Sequence, residues 1–184
     1  MKIIAISGSL RAGSYNTALM REAVSIAPEG MTIIPETING IPLYNTDEEK
    51  IAAPTKVAAL KDLIASADGL LLFTPEYNNS LPGVFKNAID WLSSPDADAH
   101  RVFRGRPTGI LGASATGFGT INSQTAWLPV LRALQTNIFT RSRFLLSRAQ
   151  HAFDPAGRLA DEKARLQLLE YLEEFSRFVG TSAR

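Results

Sequence analysis

Lys2-Ile3-Ile4-Ala5-Ile6-Ser7-Gly8-Ser9-Leu10-Arg11-Ala12-Gly13-Ser14-Tyr15-Asn16 opens the chain and decides how the rest is read. Lys2 to Ile6 is a continuous apolar run, not an alternating one, so it predicts a strand covered on both faces, as in a parallel sheet. The run stops at small and hydroxyl residues. Leu19, Met20, Ala23, Ile26 and Ala27 then recur at helical spacing, which predicts a helix from about Ser14 or Tyr15 to Ala27. Strand, polar turn and helix in this order form the first half of a βαβ unit.

The same alternation continues along the chain. Met31 to Ile34 predicts a second strand, and the polar stretch Thr37 to Ala53 reads as a long loop. Pro54 suits the first turn of a helix carrying Val57, Leu60 and Ile64 on one face. Gly69 to Thr74 is the most apolar strand, and Ser80-Leu81-Pro82 opens a helix that buries Val84, Phe85, Ala88, Trp91 and Leu92. Ser93 to Arg106 reads as a polar loop and Pro107 to Gly112 as a fourth strand. A helix over Ser123 to Gln135 contains Pro129, which either kinks it or marks an earlier start. Ile138 to Leu146 holds the fifth strand, and Asp161 to Val179 the last helix. The expectation is one α/β domain over residues 1–184, a doubly wound three-layer α/β/α sandwich on a five-stranded parallel sheet. In such a sheet ligands bind beyond the carboxyl ends of the strands, where the strand order reverses.

Composition limits the chemistry available there. The 184 residues include no cysteine, which excludes disulfides, thiolate metal sites, iron–sulfur clusters and thiol relays. Lys+Arg 19 against Asp+Glu 18 gives a net charge of +1, so no overall field gathers nucleic acid or an anionic membrane. Apolar runs such as Leu70 to Phe73 are too short to span a bilayer, and the start lacks the apolar length and cleavage site of a signal peptide. A cytoplasmic protein is expected. Redox or group-transfer chemistry must come from a borrowed cofactor or from Ser, His and carboxylates.

Three loops follow the predicted strands. Ser7 to Asn16 holds hydroxyls, two glycines, an arginine and an asparagine at a strand-to-helix turn, a set suited to a phosphate. Ser14-Tyr15 stand where a nucleoside-triphosphate loop needs Lys-Ser/Thr, and no Gly-x-Gly-x-x-Gly follows the strand, so a nucleotide with a terminal monophosphate fits best. The same residues would also serve simply to cap the helix. Thr74-Pro75-Glu76-Tyr77-Asn78-Asn79-Ser80-Leu81-Pro82-Gly83 offers main-chain amides, an aromatic face and two carboxamides for a flat heteroaromatic ring; the alternative is a turn with a surface tyrosine. Gly112-Ala113-Ser114-Ala115-Thr116-Gly117-Phe118-Gly119-Thr120 allows close backbone approach to a ligand. It is not a nucleophile elbow, because Thr116 replaces the second glycine of Gly-x-Ser-x-Gly.

Gly8 to Asn16, together with Thr74 to Ser93, resembles the two signature segments of the NAD(P)H-dependent FMN reductases, flavodoxin-like proteins that include quinone, chromate and azo-dye reductases. Ile41-Pro42-Leu43-Tyr44 is similar to a further family segment, and Phe85 stands where leucine is common. The resemblance implies FMN as cofactor, NADPH or NADH as donor, and a small-molecule acceptor: a quinone, free flavin, azo compound or metal oxyanion. It implies that Ser9, Leu10, Arg11, Ser14, Tyr15 (through its main chain) and Asn16 hold the FMN phosphate. Pro75, Glu76, Tyr77 and Asn78 then border the isoalloxazine ring, and Ser114, Ala115, Thr116 and Gly117 lie along its other edge. Hydride passes from nicotinamide to flavin N5, so no side-chain nucleophile or base is implied. A homodimer or homotetramer is implied as well, with Tyr44 and Phe118 as candidates to close the site from the partner.

Other residues carry weaker signals. His100 and His151 read as solvated loop residues away from the three strand ends, with no partners for a metal. Arg101 to Arg106 is a candidate for the 2′-phosphate of NADPH, ranked below a solvated loop. Trp91, Phe118, Trp127 and Phe139 read as core or subunit interface. Two readings compete with a reductase. One is a flavodoxin-like FMN-binding electron carrier or redox sensor, against which near-neutral charge speaks. The other is a hydrolase, for which neither histidine is well placed.

Overall fold

The computed structural model describes residues 1–182. Five chain segments build the parallel sheet, in the order β2-β1-β3-β4 followed by an interrupted outer segment. The strands are β1 (Lys2–Ser7), β2 (Thr32–Thr37), β3 (Gly69–Phe73), β4 (Pro107–Ala113), β5 (Asn137–Ile138) and β6 (Phe144–Leu146). The helices are α1 (Tyr15–Ser25), α2 (Thr46–Ile51), α3 (Thr55–Ala65), α4 (Gly83–Leu92), α5 (Asp96–Phe103), α6 (Ile121–Ala133) and α7 (Glu162–Ser182). This is the flavodoxin-like α/β/α sandwich, and the strand order reverses between β1 and β3.

The pleat of the three central strands sorts their side chains into two layers. Ile3, Ala5, Leu71, Phe73, Leu111 and Ala113 face α1 and α7, where they meet Leu19, Ala23, Leu168, Leu172 and Phe175. Ile4, Ile6, Leu70, Leu72 and Ile110 face the other layer, with Val57 and Leu60 of α3, Phe85 and Trp91 of α4, Phe103 of α5 and Trp127 of α6. Trp91 and Trp127 are fully buried and Phe139 nearly so, so these three are core residues of this chain; Phe118 is 69% exposed.

Two segments that read as loops contain helices. Thr46–Ile51 is a helix capped by Asn45, whose side chain accepts the Asp47 amide at 3.0 Å. Six residues with none buried leave no apolar periodicity to detect. Asp96–Phe103 is a helix whose buried Val102 and Phe103 lie at its end, behind a polar first turn. Its Asp98 accepts a hydrogen bond at 2.8 Å from Lys61 of α3, whose side chain is almost wholly buried; Arg101 of the same helix pairs with Asp62 at 2.8 Å and with Asp98. Arg106 is half-buried and donates to the carbonyls of Val102 and Ala67. The Arg101–Arg106 segment precedes β4 and so lies at the amino end of the sheet, opposite the three loops; Arg101 and Arg106 brace α5, while Arg104 is exposed. His100 lies within α5, exposed.

The fifth strand is split. Thr108 pairs with Ile138 and Leu111 with Phe144, so residues 139–143 bulge out between two short strands. Beside the interruption the Tyr171 hydroxyl of α7 donates to the Ile110 carbonyl at 3.1 Å, tying the last helix to the fourth strand. Burial pushes the Tyr171 phenol far above its ordinary value, so it remains a donor. Pro129 lies inside α6, whose start is at Ile121, two residues before the predicted one.

The α3–α5 contact gives a pH dependence. Burial works to raise the Asp98 pKa, but hydrogen bonds and charges from Lys61 and Arg101 outweigh it and hold the carboxyl below its ordinary range. A folded-state pKa below the unfolded one contributes stability above the usual carboxylate range, and that contribution is lost as pH falls through the folded value. Asp98→Asn should therefore lower stability by about 2–3 kcal/mol at neutral pH and flatten the acid limb of a urea-denaturation series, because buried Lys61 loses its counter-charge.

Gly8 gives a second test. A Cβ built there would lie 2.0 Å from the Phe85 ring, which also packs edge-on against Trp127 at 5.0 Å. Gly8→Ala should cost about 2–3 kcal/mol in urea denaturation, and less in a Phe85→Leu background, where the obstructing ring is gone.

Candidate functional site

Three loops meet at the carboxyl ends of β1, β3 and β4. Gly8 donates its amide to the Phe73 carbonyl at 3.0 Å, and Thr74 donates its amide to Leu111 at 2.9 Å, so each loop leaves the sheet one residue after a ladder bond to its neighbour. The convergence follows from register, because Ser7 lies opposite Phe73 and Phe73 opposite Leu111.

In the first loop Ser9 is buried, and its hydroxyl oxygen accepts the Arg11 amide at 3.3 Å while its own proton has no acceptor among the described residues. The Arg11 guanidinium is exposed and makes no ion pair among the described residues. Ser14 caps α1, accepting the Thr17 amide at 3.3 Å, so capping and a phosphate role are compatible here, the hydroxyl proton being left free. The main-chain N–H groups of Ala12, Gly13, Ser14, Tyr15 and Asn16 have no partner among the described residues. Leu10 is half exposed.

Asn16 departs from expectation. Its carboxamide is buried and spent on the Ala113 main chain, donating to the carbonyl and accepting from the amide at 2.9 Å each. Only its backbone N–H remains for a ligand. Tyr15 turns its ring to Phe153, stacked at 5.8 Å, which agrees with a main-chain role. Beside this stack a cleft of about 510 Å³ opens between Gly13, Arg21 and the turn 154–157.

In the second loop Asn78 and Asn79 both have positive φ, 50° and 59°, and Tyr77 and Ser80 exchange two backbone hydrogen bonds of 3.0 Å. This is a two-residue type I′ turn, for which asparagine is the best non-glycine residue. It leaves Tyr77 41% exposed above buried Pro75. Glu76 turns the other way: one carboxylate oxygen accepts the amides of Asn122 and Ser123 at 2.9 and 3.0 Å. Nothing local signals this contact. By residue type Thr120 is the expected cap of α6, but it sits at φ 70° and makes no capping bond; the cap comes from 46 residues away. Behind it the Thr74 hydroxyl accepts from Trp127 at 2.9 Å and pairs with Ser123 at 2.8 Å.

The third loop is stitched to the chain beyond β6. Ser114 donates its amide to Leu146 and accepts from Ala149, and Thr116 accepts from Arg148. That stitching brings exposed His151 to the carboxyl end of the sheet, not away from it. The N–H groups of Ala115, Thr116 and Gly117 have no partner among the described residues, and a Cβ on Gly117 would meet nothing within 4 Å. Gly112 has no such room, since its Cβ would lie 2.3 Å from the Thr74 carbonyl oxygen. Tyr44 corrects another expectation. Its ring packs edge-on against Trp91 at 5.0 Å and its hydroxyl bonds Glu49 and Ser94, so it is engaged within its own subunit. Phe118 remains exposed beside the third loop. Among the described residues no cluster of His, Asp and Glu could hold a metal.

The arrangement offers unpaired amides, a hydroxyl and a guanidinium at one end, and a proline, a tyrosine and unpaired amides at the other. These donors match a phosphate monoester and the carbonyl and ring-nitrogen edge of a flat heterocycle. Residues 1–151 match the NADPH-dependent FMN reductase family. An NAD(P)H-dependent FMN reductase of Pseudomonas aeruginosa is 44% identical over 179 residues, covering 97% of this chain and 95% of that one. A quinone reductase of Escherichia coli is 34% identical over 184 residues, covering 97% and 95%. The solved structure of FerB, a flavoenzyme NAD(P)H:(acceptor) oxidoreductase from Paracoccus denitrificans, superposes with a TM-score of 0.88 at 29% identity, over 98% of both chains. By sequence the chain belongs to the NADPH-dependent FMN reductase family.

Proposed function

We propose that this protein is an NAD(P)H-dependent FMN oxidoreductase that delivers electrons to small-molecule acceptors, quinones first among them. The observation that carries the reading is the convergence of three donor-rich loops at the strand-order reversal between β1 and β3. Ser9, Arg11 and the amides of Ser14, Tyr15 and Asn16 would hold the phosphate of FMN, with Leu10 over the loop. The main chain of Pro75, Glu76, Tyr77 and Asn78 would border one side of the ring, and Ser114 to Gly117 the other. When bound, FMN supplies two-electron chemistry by accepting hydride and passing electrons on.

The chain's own residues bind and orient. The type I′ turn fixes the exposed Tyr77 at the site mouth, where a planar nicotinamide or quinone can stack. The Asn16 clasp fixes the first loop relative to the third. The reading asks for no side-chain nucleophile or base, since the cofactor carries the hydride. The quinone reductase relatives favour turnover of an acceptor over a pure electron carrier. A homodimer or homotetramer, with exposed Phe118 meeting a second subunit beside the site, completes the reading.

Purified protein reconstituted with FMN should bind it, bleach anaerobically with NADPH or NADH, and recover colour on addition of menadione. Protein that binds no FMN and oxidises no nicotinamide would overturn the assignment. Arg11→Ala should weaken FMN binding about tenfold, the value of one charge-assisted contact to phosphate. Equal affinity in flavin-fluorescence titration would remove Arg11 from the phosphate site.

A further inference from the structure

Glu76 holds an unusual position. It lies between Pro75 and Tyr77, in the loop read above as bordering the flavin ring, yet its carboxylate faces away and closes the N-terminus of α6. The two amides that it accepts, Asn122 and Ser123, belong to the first turn of that helix, where the unsatisfied N–H groups and the helix dipole concentrate positive potential. The helix supplies no cap of its own. No Lys, Arg or His forms an ion pair with Glu76 among the described residues, so its charge is offset only by these main-chain dipoles. The contact also joins the second loop to the segment that leaves the third, since Ile121 to Ser123 directly follow Gly119-Thr120.

We infer that Glu76 is a positioning and tuning residue for the bound flavin: its carboxylate locks the ring-bordering loop onto α6, and its charge lowers the flavin's reduction potential. The inference rests on the FMN reading above. Reduction adds negative charge to the ring system, and a helix N-terminus left open beside it would stabilise that charge and raise the potential. Glu76 occupies that terminus and adds a negative charge of its own, so both effects oppose reduction and leave the reduced cofactor a stronger donor. Geometry and charge are separable here, because glutamine keeps an oxygen that can accept the same two amides while losing the charge.

The test uses FMN-saturated full-length protein carrying Glu76→Gln or Glu76→Ala. Midpoint potential is measured by anaerobic dye equilibration, and thermal denaturation is followed on the FMN-free protein. Glu76→Gln should raise the potential by about 30 mV, a tenfold shift in the oxidised-to-reduced ratio, while the FMN-free protein melts near wild type. Glu76→Ala, which opens the helix end, should also raise the potential, lower the melting temperature of the FMN-free protein by several degrees, and weaken FMN binding about tenfold. An unchanged or lowered potential in Glu76→Gln overturns the tuning role, and wild-type melting with wild-type FMN affinity in Glu76→Ala overturns the positioning role. Either result, with wild-type protein binding FMN and bleaching normally, leaves the reductase reading standing. Wild-type protein that binds no FMN removes both.

Discussion

The buried clasp between Asn16 and Ala113 is the contact on which the rest of the arrangement depends. Two 2.9 Å hydrogen bonds join the start of the first helix to the end of the fourth strand, 97 residues away in the chain. A carboxamide carries its donor and its acceptor on separate atoms, so it can pair with both the carbonyl and the amide of one residue. It satisfies two main-chain groups just where the sheet ladder passes into a loop, and leaving them bare would cost roughly 1–3 kcal/mol each. It also fixes the distance between the first and third loops, so their unpaired amides face one space.

Around that clasp the site is built mostly from main chain. The second loop is held by a turn whose two central residues have positive φ and by a carboxylate that reaches into another element. The third is held by three main-chain bonds, one to the last residue of β6 and two to the segment after it. Side chains here mainly brace the loops, and amides do the presenting. Such a surface suits a ligand recognised by the edges of its ring and by its phosphate.

The legible part of the sequence was the part governed by local periodicity. Runs such as Leu70 to Phe73 are buried on both faces and read as strands, and the three loops were found because each follows such a run. Helix α5 was missed because its apolar residues, Val102 and Phe103, are adjacent at its end and make no stripe. The split of the fifth strand was hidden because Phe139 and Phe144 are both buried and look continuous in sequence. An asparagine at a helix start offers donors in either role, and only the position of Ala113 shows that the Asn16 carboxamide is taken up by main chain. The sequence places Glu76 in its loop but not the contact of its carboxylate with the start of α6, since the direction of a side chain in a turn follows from the fold. His151 was set apart because nothing in its neighbourhood shows that β6 returns it to the sheet's carboxyl end.

The interrupted outer strand has a consequence for how the protein behaves in a crowded solution. An exposed sheet edge presents a regular row of free amides and carbonyls that a passing extended chain can extend. Here the edge is two short pieces separated by a bulge, and the strand behind it is held at Ile110 by a phenol. A foreign strand would find matching groups for only two or three residues before losing register. The outermost segment thus offers a foreign strand little to extend at this edge of the sheet.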